Sequence, residues 1–130
     1  MHATAFVVPR KIAGRLFYAG LAAFLLGAVV YEVALHGVGY WQLAAFALGP
    51  DLALVYGASA GLERGRLHPR AVPLYNLLHR FWLPVVLLAL ASVGLVSPAY
   101  VVGALAWCLH VSLDRAVGYG LRTRDGFQRP

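Results

Sequence analysis

Four side chains of the kinds that hold divalent metals or exchange protons lie within otherwise apolar stretches: Asp51, His79, His110 and Asp114. Two carboxylates and two imidazoles suit zinc, manganese or iron by ligand type. His110 and Asp114 are four apart, so a helix puts them on one face, shared with Gly103, Trp107 and Gly118. Asn76, His79 and Arg80 share another face, just after Tyr75. Asp51 follows Gly49-Pro50, and a proline there leaves the carbonyl of Phe46 without its helical donor. Small residues near the Asp51 face, Ala44, Ala47 and Ala58, point that face toward neighbouring helices. Counted from the ends of the apolar stretches, these polar groups fall at similar depth on three helices.

Charge counting separates two chemistries for this cluster. If Asp51 and Asp114 pair with Arg80 and Arg115, the sum is zero and the cluster is a structural network, with Asn76 and the histidines adding interhelical hydrogen bonds. If both arginines reach out to headgroups instead, the aspartates leave a charge that a divalent ion balances. Arg115 is rotated about a quarter turn from Asp114 and lies near a membrane edge.

The elements that must carry these residues follow from composition. The chain has 130 residues, 61% apolar and 12% charged. Soluble domains average about 45–50% apolar and about 25% charged. So large an apolar excess in so short a chain leaves too little polar surface to cover a water-soluble globule. A spanning helix needs about 20 apolar residues, and four such segments are present, at about 12–35, 40–62, 73–96 and 98–121. The last two come from one stretch without charge, Phe81 to Leu113, divided at Ser97-Pro98. The fold expected is all-α: a polytopic membrane protein with a four-helix antiparallel bundle in a single domain, 1–130. The first apolar run is too long for a signal core and is read as a retained helix.

All eleven basic residues fall on one side of this arrangement. The positive-inside rule then places both termini in the cytoplasm and the chain in the inner membrane. Anionic lipid headgroups on that side are the partners this charge implies. Nucleic acid is not, because no soluble basic surface with groove-reading or stacking elements is visible. Glu32 and His36 read as a solvated pair at the far end of helix 1, and Cys108, the sole cysteine, as a small apolar group. Ala13, Gly20, Gly27 and Ala34 form a close-packing stripe, within the protomer or in a homo-oligomer. Gly118-Tyr119-Gly120 lacks the strand context of a phosphate loop.

The order Gly-Pro-Asp51-Leu, Tyr75-Asn76-x-x-His79, Ala106-Trp107-x-x-His110, Asp114-Arg115-x-x-Gly118-Tyr119-Gly120-Leu121 and Gly126-Phe127 resembles the domain of unknown function 4260 family. Its members are small bacterial integral membrane proteins of uncharacterised activity. The resemblance covers about residues 43–127 and singles out Asp51, Tyr75, Asn76, His79, His110, Asp114 and Arg115. The chain departs from the family at Gly14-Arg15-Leu16-Phe17, where relatives often carry an acid, and at its end, where they continue with a Thr-His tail. A looser likeness is to membrane-bound metal-dependent hydrolases, by analogy only.

Three functions follow. The first is a structural or interaction role for the polar cluster. The second is a metal-dependent hydrolase acting on a lipid-linked or cytoplasm-facing substrate, with Asp51, His79, His110 and Asp114 as ligands or base and Arg80 or Arg115 holding an anionic group. The third is a proton-coupled transporter of small solutes.

Overall fold

The computed structural model describes residues 9–129. Helix α1 runs from Arg10 to His36 and ends at Gly37, which takes φ +62° so that its amide can reach the carbonyl of Val33. It buries Ala22, Leu25 and Val29 and exposes most of its other residues. Phe24, for example, is 72% exposed. The stripe of Ala13, Gly20, Gly27 and Ala34 points outward rather than into the protomer. Glu32 and His36 form the expected pair at 3.2 Å near the helix end.

The second segment is shorter than the sequence suggests. Helix α2 covers Tyr40–Leu48, a 3₁₀ turn Gly49–Asp51, and α3 only Leu52–Tyr56, where one helix to 62 was expected. Pro50 supplies no amide, and the chain tightens locally to i→i+3 bonds. α3 ends at Gly57, where the Leu67 side chain occupies the space a Cβ would fill, so that only glycine fits. Residues 57–68 then fold back over α3, with Ala53, Leu67, Ala71 and Tyr75 forming a small buried core. Ala44 and Ala58 are exposed, and the buried small residue on this segment is Ala53.

The third segment, expected unbroken over 73–96, is two helices: α4, Val72–Leu78, and α5, Trp82–Ser92, bent by 41°. Pro84 explains the break. In a continuous helix its ring would collide with the carbonyl of Arg80, and it has no amide to offer that carbonyl. Two side chains of the last helix take the carbonyls released at the break: Trp107 Nε1 donates to Leu78 O at 2.7 Å, and Arg115 Nη2 to His79 O at 3.2 Å.

That last helix, α6, spans Ala99–Ala116. It stops short of the expected 121 because Gly118 leaves the helical region at φ +97°. It is the central element and packs against α1, α2 and α5. Val102, Ala104, Ala106, Val111 and Ser112 are almost wholly buried along it. The ring of Phe46 lies over Gly103, 2.8 Å from where a Cβ would stand, so α2 approaches α6 closely. Arg15 near the start of α1 donates to Ala116 O at the end of α6, at 2.9 Å, so these two helices run antiparallel. That contact also places a cation at a helix C-terminus, where the macrodipole favours it.

Residues 117–129 fold back under the bundle and join the basic segments. Arg66 donates to Asp125 O at 2.7 Å, Arg122 to Gly65 O at 3.1 Å, and Leu67 N to Gly126 O at 2.9 Å. The Thr123 hydroxyl donates to the Asp125 carboxylate, which it holds below the usual carboxylate range, with the Asp125 amide and Arg66 adding to the effect. The start of α1, the 57–71 connection, the end of α6 and the tail therefore share one end of the molecule, as the arginine distribution implied.

Among the described residues the fold is all-α, with no strand and one isolated bridge between Arg122 and Gln128. One helix, α1, is long and apolar enough by itself to cross a membrane, and the bent pair Pro69–Leu78 and Trp82–Ser92 makes a second if it is one span. The four full-length spans expected from composition are not four such helices. The glycine–proline turn divides the second, and His110, Asp114 and Arg115 dilute the apolar run of the fourth.

Gly126 takes φ +101°, and the Leu67 carbonyl fills the space where its Cβ would be. Gly126→Ala is expected to cost about 1–3 kcal/mol through that backbone strain and contact, read as a lowered thermal midpoint in detergent. An unchanged midpoint would mean that the tail does not close against Leu67.

Candidate metal centre

The two histidines are oriented by backbone carbonyls. His79 closes α4, and its Nδ1 lies 2.8 Å from Tyr75 O, one turn back. His110 sits on α6 with Nδ1 2.7 Å from Ala47 O. The 3₁₀ turn explains why that carbonyl is free: tightening at Gly49–Asp51 withdraws the amide that Ala47 O would receive in an α-helix. A carbonyl only accepts, so each Nδ1 carries the hydrogen, and in the neutral imidazole each Nε2 keeps its lone pair. The same turn that releases Ala47 O also carries Asp51 to the site.

The four predicted residues converge. His79 Nε2 lies 3.5 Å from Asp51 Oδ1 and 3.3 Å from Asp114 Oδ2. His110 Nε2 lies 3.2 Å from Asp51 Oδ1 and 3.6 Å from Asp114 Oδ2. The two Nε2 atoms are 3.4 Å apart. One ligand atom from each residue fits within a sphere of contacts no longer than 4.8 Å. His79 is 2% exposed, and Asp51, with 49% of its side chain exposed, marks the open side.

These distances have a simple meaning. Metal–nitrogen and metal–oxygen bonds to zinc are about 2.0–2.2 Å. The edge of a tetrahedron is about 1.63 times its radius, so neighbouring ligand atoms of such an ion stand about 3.3–3.6 Å apart. The five distances above that involve a histidine Nε2 run from 3.2 to 3.6 Å, and the two carboxylate oxygens lie within 4.8 Å of each other. A histidine whose far nitrogen donates to a backbone carbonyl is also the usual support for a metal-ligating imidazole.

The remaining sequence candidates have other places. Arg80 is exposed, and Arg115 donates to a backbone carbonyl. Among the described residues neither forms an ion pair with Asp51 or Asp114, so the arginine-neutralised network is not what the fold builds. Tyr75 stacks flat on His79, centroids 3.9 Å apart at 14°, and fixes that ring from behind. Asn76 turns away from the cluster: its amide donates to Arg122 O at 3.0 Å and its carbonyl accepts from Arg122 N at 2.7 Å. Arg122, which sequence reasoning counted only as a tail charge, lies 4.8 Å over the Tyr75 ring. Gln128 adds an amide contact to the Tyr75 hydroxyl at 3.4 Å. The tail therefore supports the back of His79 through Tyr75. The Tyr75-Asn76-x-x-His79 grouping hinted at a shared role, but only the folded tail shows what Asn76 holds.

The arrangement defines an all-α protein whose helices converge on a two-histidine, two-aspartate cluster at its basic end. Residues 16–130 match the family described as Domain of unknown function (DUF4260), and the chain belongs to that family. No curated protein matches the chain, and no solved structure does.

Asn76→Leu keeps the side-chain size and removes both bonds to Arg122. It is expected to cost about 1–3 kcal/mol, the scale of leaving partly buried backbone groups unpaired, and to raise amide hydrogen exchange across 120–129 ahead of α1. Unchanged exchange in the tail would show that Asn76 does not clasp it.

Proposed function

We propose that this chain is an integral membrane protein that binds one divalent metal ion through Asp51, His79, His110 and Asp114. A single observation carries the reading: four ligand-type atoms lie within 4.8 Å of one another, the five separations from the histidine nitrogens run from 3.2 to 3.6 Å, and both Nδ1 hydrogens are directed to carbonyls. Lone pairs packed this closely repel one another unless a cation lies among them. The aspartates lack arginine partners, and their charge is the one a divalent ion balances.

The membrane setting is supported by composition and by large apolar side chains left exposed on α1 and on several other helices, among them Phe17, Phe24, Leu48, Val55 and Val85. In a four-segment bundle the fourth segment, α6, is shielded by its neighbours, and the metal lies in the cytoplasmic half beside the arginine-rich end. Anionic headgroups on that side would meet the unpaired arginines.

A hydrolytic activity is the second reading, favoured by two features of the site. A cavity of about 200 Å³ is lined by Phe46, Trp107 and the chain neighbours of Asp51 and His79, Pro50 and Leu78, and suits an apolar chain. Asp51 is the exposed ligand, so water and substrate would enter on its side. A metal there would lower the pKa of bound water to about 7 and polarise a scissile ester. Asp51 is the group placed to yield a coordination position or accept the water proton.

Metal content tests the proposal. Protein purified in detergent and loaded with zinc, manganese or iron is expected to retain one equivalent by elemental analysis. Asp51→Asn and His110→Ala should lose it, and His36→Ala should not. Folded protein that retains no metal after loading would overturn the reading. For the loaded protein, free metal at about 100 times Kd should stabilise by about 2.7 kcal/mol, and chelation should remove that increment. The membrane setting is checked separately: the chain should stay with the membrane fraction through carbonate extraction, and release into the supernatant would refute it.

A further inference from the structure

We propose that the cleft between the start of α1 and the end of α6 binds one phosphate-bearing amphiphile, with the phosphate on Lys11, Arg15, Arg115 and Arg129. The cleft has a volume of about 580 Å³, within the range of small-molecule sites. No carboxylate lines it. Among the described residues every ion pair involves a histidine, so none of these four cations is neutralised by a described carboxylate. Four like charges around one cleft repel, and an anion of more than one charge relieves that better than a carboxylate.

The arginines are already positioned. Arg15 is fixed by its Nε bond to Ala116 O at 2.9 Å, Arg115 by Nη2 to His79 O at 3.2 Å, and Arg129 by Nε to Arg122 O at 3.3 Å. Each keeps further N–H groups, and a guanidinium fork matches phosphate oxygens in pairs. Much of the ordering cost of binding is therefore met before the ligand arrives. The turn Gly118–Gly120 lies beside two of them. A Cβ on Gly118 would stand 3.7 Å from the Arg15 guanidinium carbon, and one on Gly120 3.6 Å from Arg115 Nη1. The turn is not itself the anion cradle. Its three amides are taken by Arg115 O, Asp114 O and the Gln128 side chain. The anion is held by side chains.

The rest of the cleft is apolar. Ile12, Tyr18 and Leu121 line it, and Tyr18 is stacked on Phe81 at 6.0 Å. From Ile12 the exposed face of α1 continues through Leu16 and Phe17, a track on which a hydrocarbon chain can lie. A phosphate at the basic end with its chain along α1 matches both halves. The same charge chemistry would admit a soluble phosphate, but the apolar track favours the amphiphile. The phosphate part is independent of the metal centre, whereas the chain part rests on the membrane reading.

The test uses full-length protein in non-ionic detergent, titrated calorimetrically with short-chain phosphatidic acid, with phosphatidylcholine of the same chains, and with inorganic phosphate. Phosphatidic acid is expected to bind one to one and more tightly than either comparator. Arg15→Gln and Arg129→Gln should each weaken it about tenfold or more. Arg64→Gln, a cation outside the cleft, should leave it unchanged, as should Asp51→Asn. If Arg15→Gln does not fold, Arg129→Gln carries the comparison. Equal binding of phosphatidylcholine, or equal weakening by Arg64→Gln, would overturn the site. Inorganic phosphate binding as tightly as phosphatidic acid would overturn the amphiphile. A chain that leaves the membrane fraction yet binds inorganic phosphate would fail the membrane reading alone.

Discussion

Two backbone carbonyls, those of Tyr75 and Ala47, orient everything at the functional end of this protein. Each accepts the Nδ1 hydrogen of a histidine and thereby turns the opposite nitrogen, with its lone pair, toward two carboxylates. A rotated ring would break a short hydrogen bond to a carbonyl that has no other side-chain partner here. The rings are thus fixed by the main chain of two different helices, and their relative position is as rigid as the packing between those helices. The close approach of α2 to α6 at Gly103 and the flat stack of Tyr75 on His79 keep that packing in place.

Irregular backbone frees the Ala47 carbonyl, whereas the Tyr75 carbonyl accepts both the His79 amide and the His79 ring hydrogen. In an uninterrupted α-helix every interior carbonyl has an amide four residues on. Pro50 tightens α2 into a 3₁₀ turn, and Pro84 forbids continuation through Arg80. The two breaks release acceptors beside the cluster, and α6 meets them with His110, Trp107 and Arg115. The same breaks bring Asp51 and His79 to the site at the ends of short elements, where no further helical turn stands between them and α6. Local instability of two helices is offset by side-chain bonds from the third.

The residues that converge were visible as residues. Asp51, His79, His110 and Asp114 are out of place in apolar segments, and the i, i+4 spacing of the last pair gave one half of the geometry before any fold was known. What the sequence left open was whether the nearby arginines act as counter-ions. Arg80 and Arg115 sit within a turn of the ligands in sequence, yet one faces solvent and the other caps a carbonyl. Direction on a helix follows from spacing only while the helix continues, and the third segment breaks between Asn76 and Arg80. For the same reason Asn76, grouped with His79 by periodicity, holds the tail instead.

Helical class, apolar segments, the gathering of arginines at one end and the four ligand-type side chains are properties of composition and short-range order, which the chain carries in any conformation. The lengths of the helices were less certain, because Pro84 and Gly57 act through clashes with particular neighbours. The spacing of the four acceptor atoms, the choice of Nδ1 as the donor and the convergence of four cations around one cleft belong to contacts between residues far apart in the chain. Such contacts depend on how helices cross and where they stop, and no periodicity within a single segment encodes that.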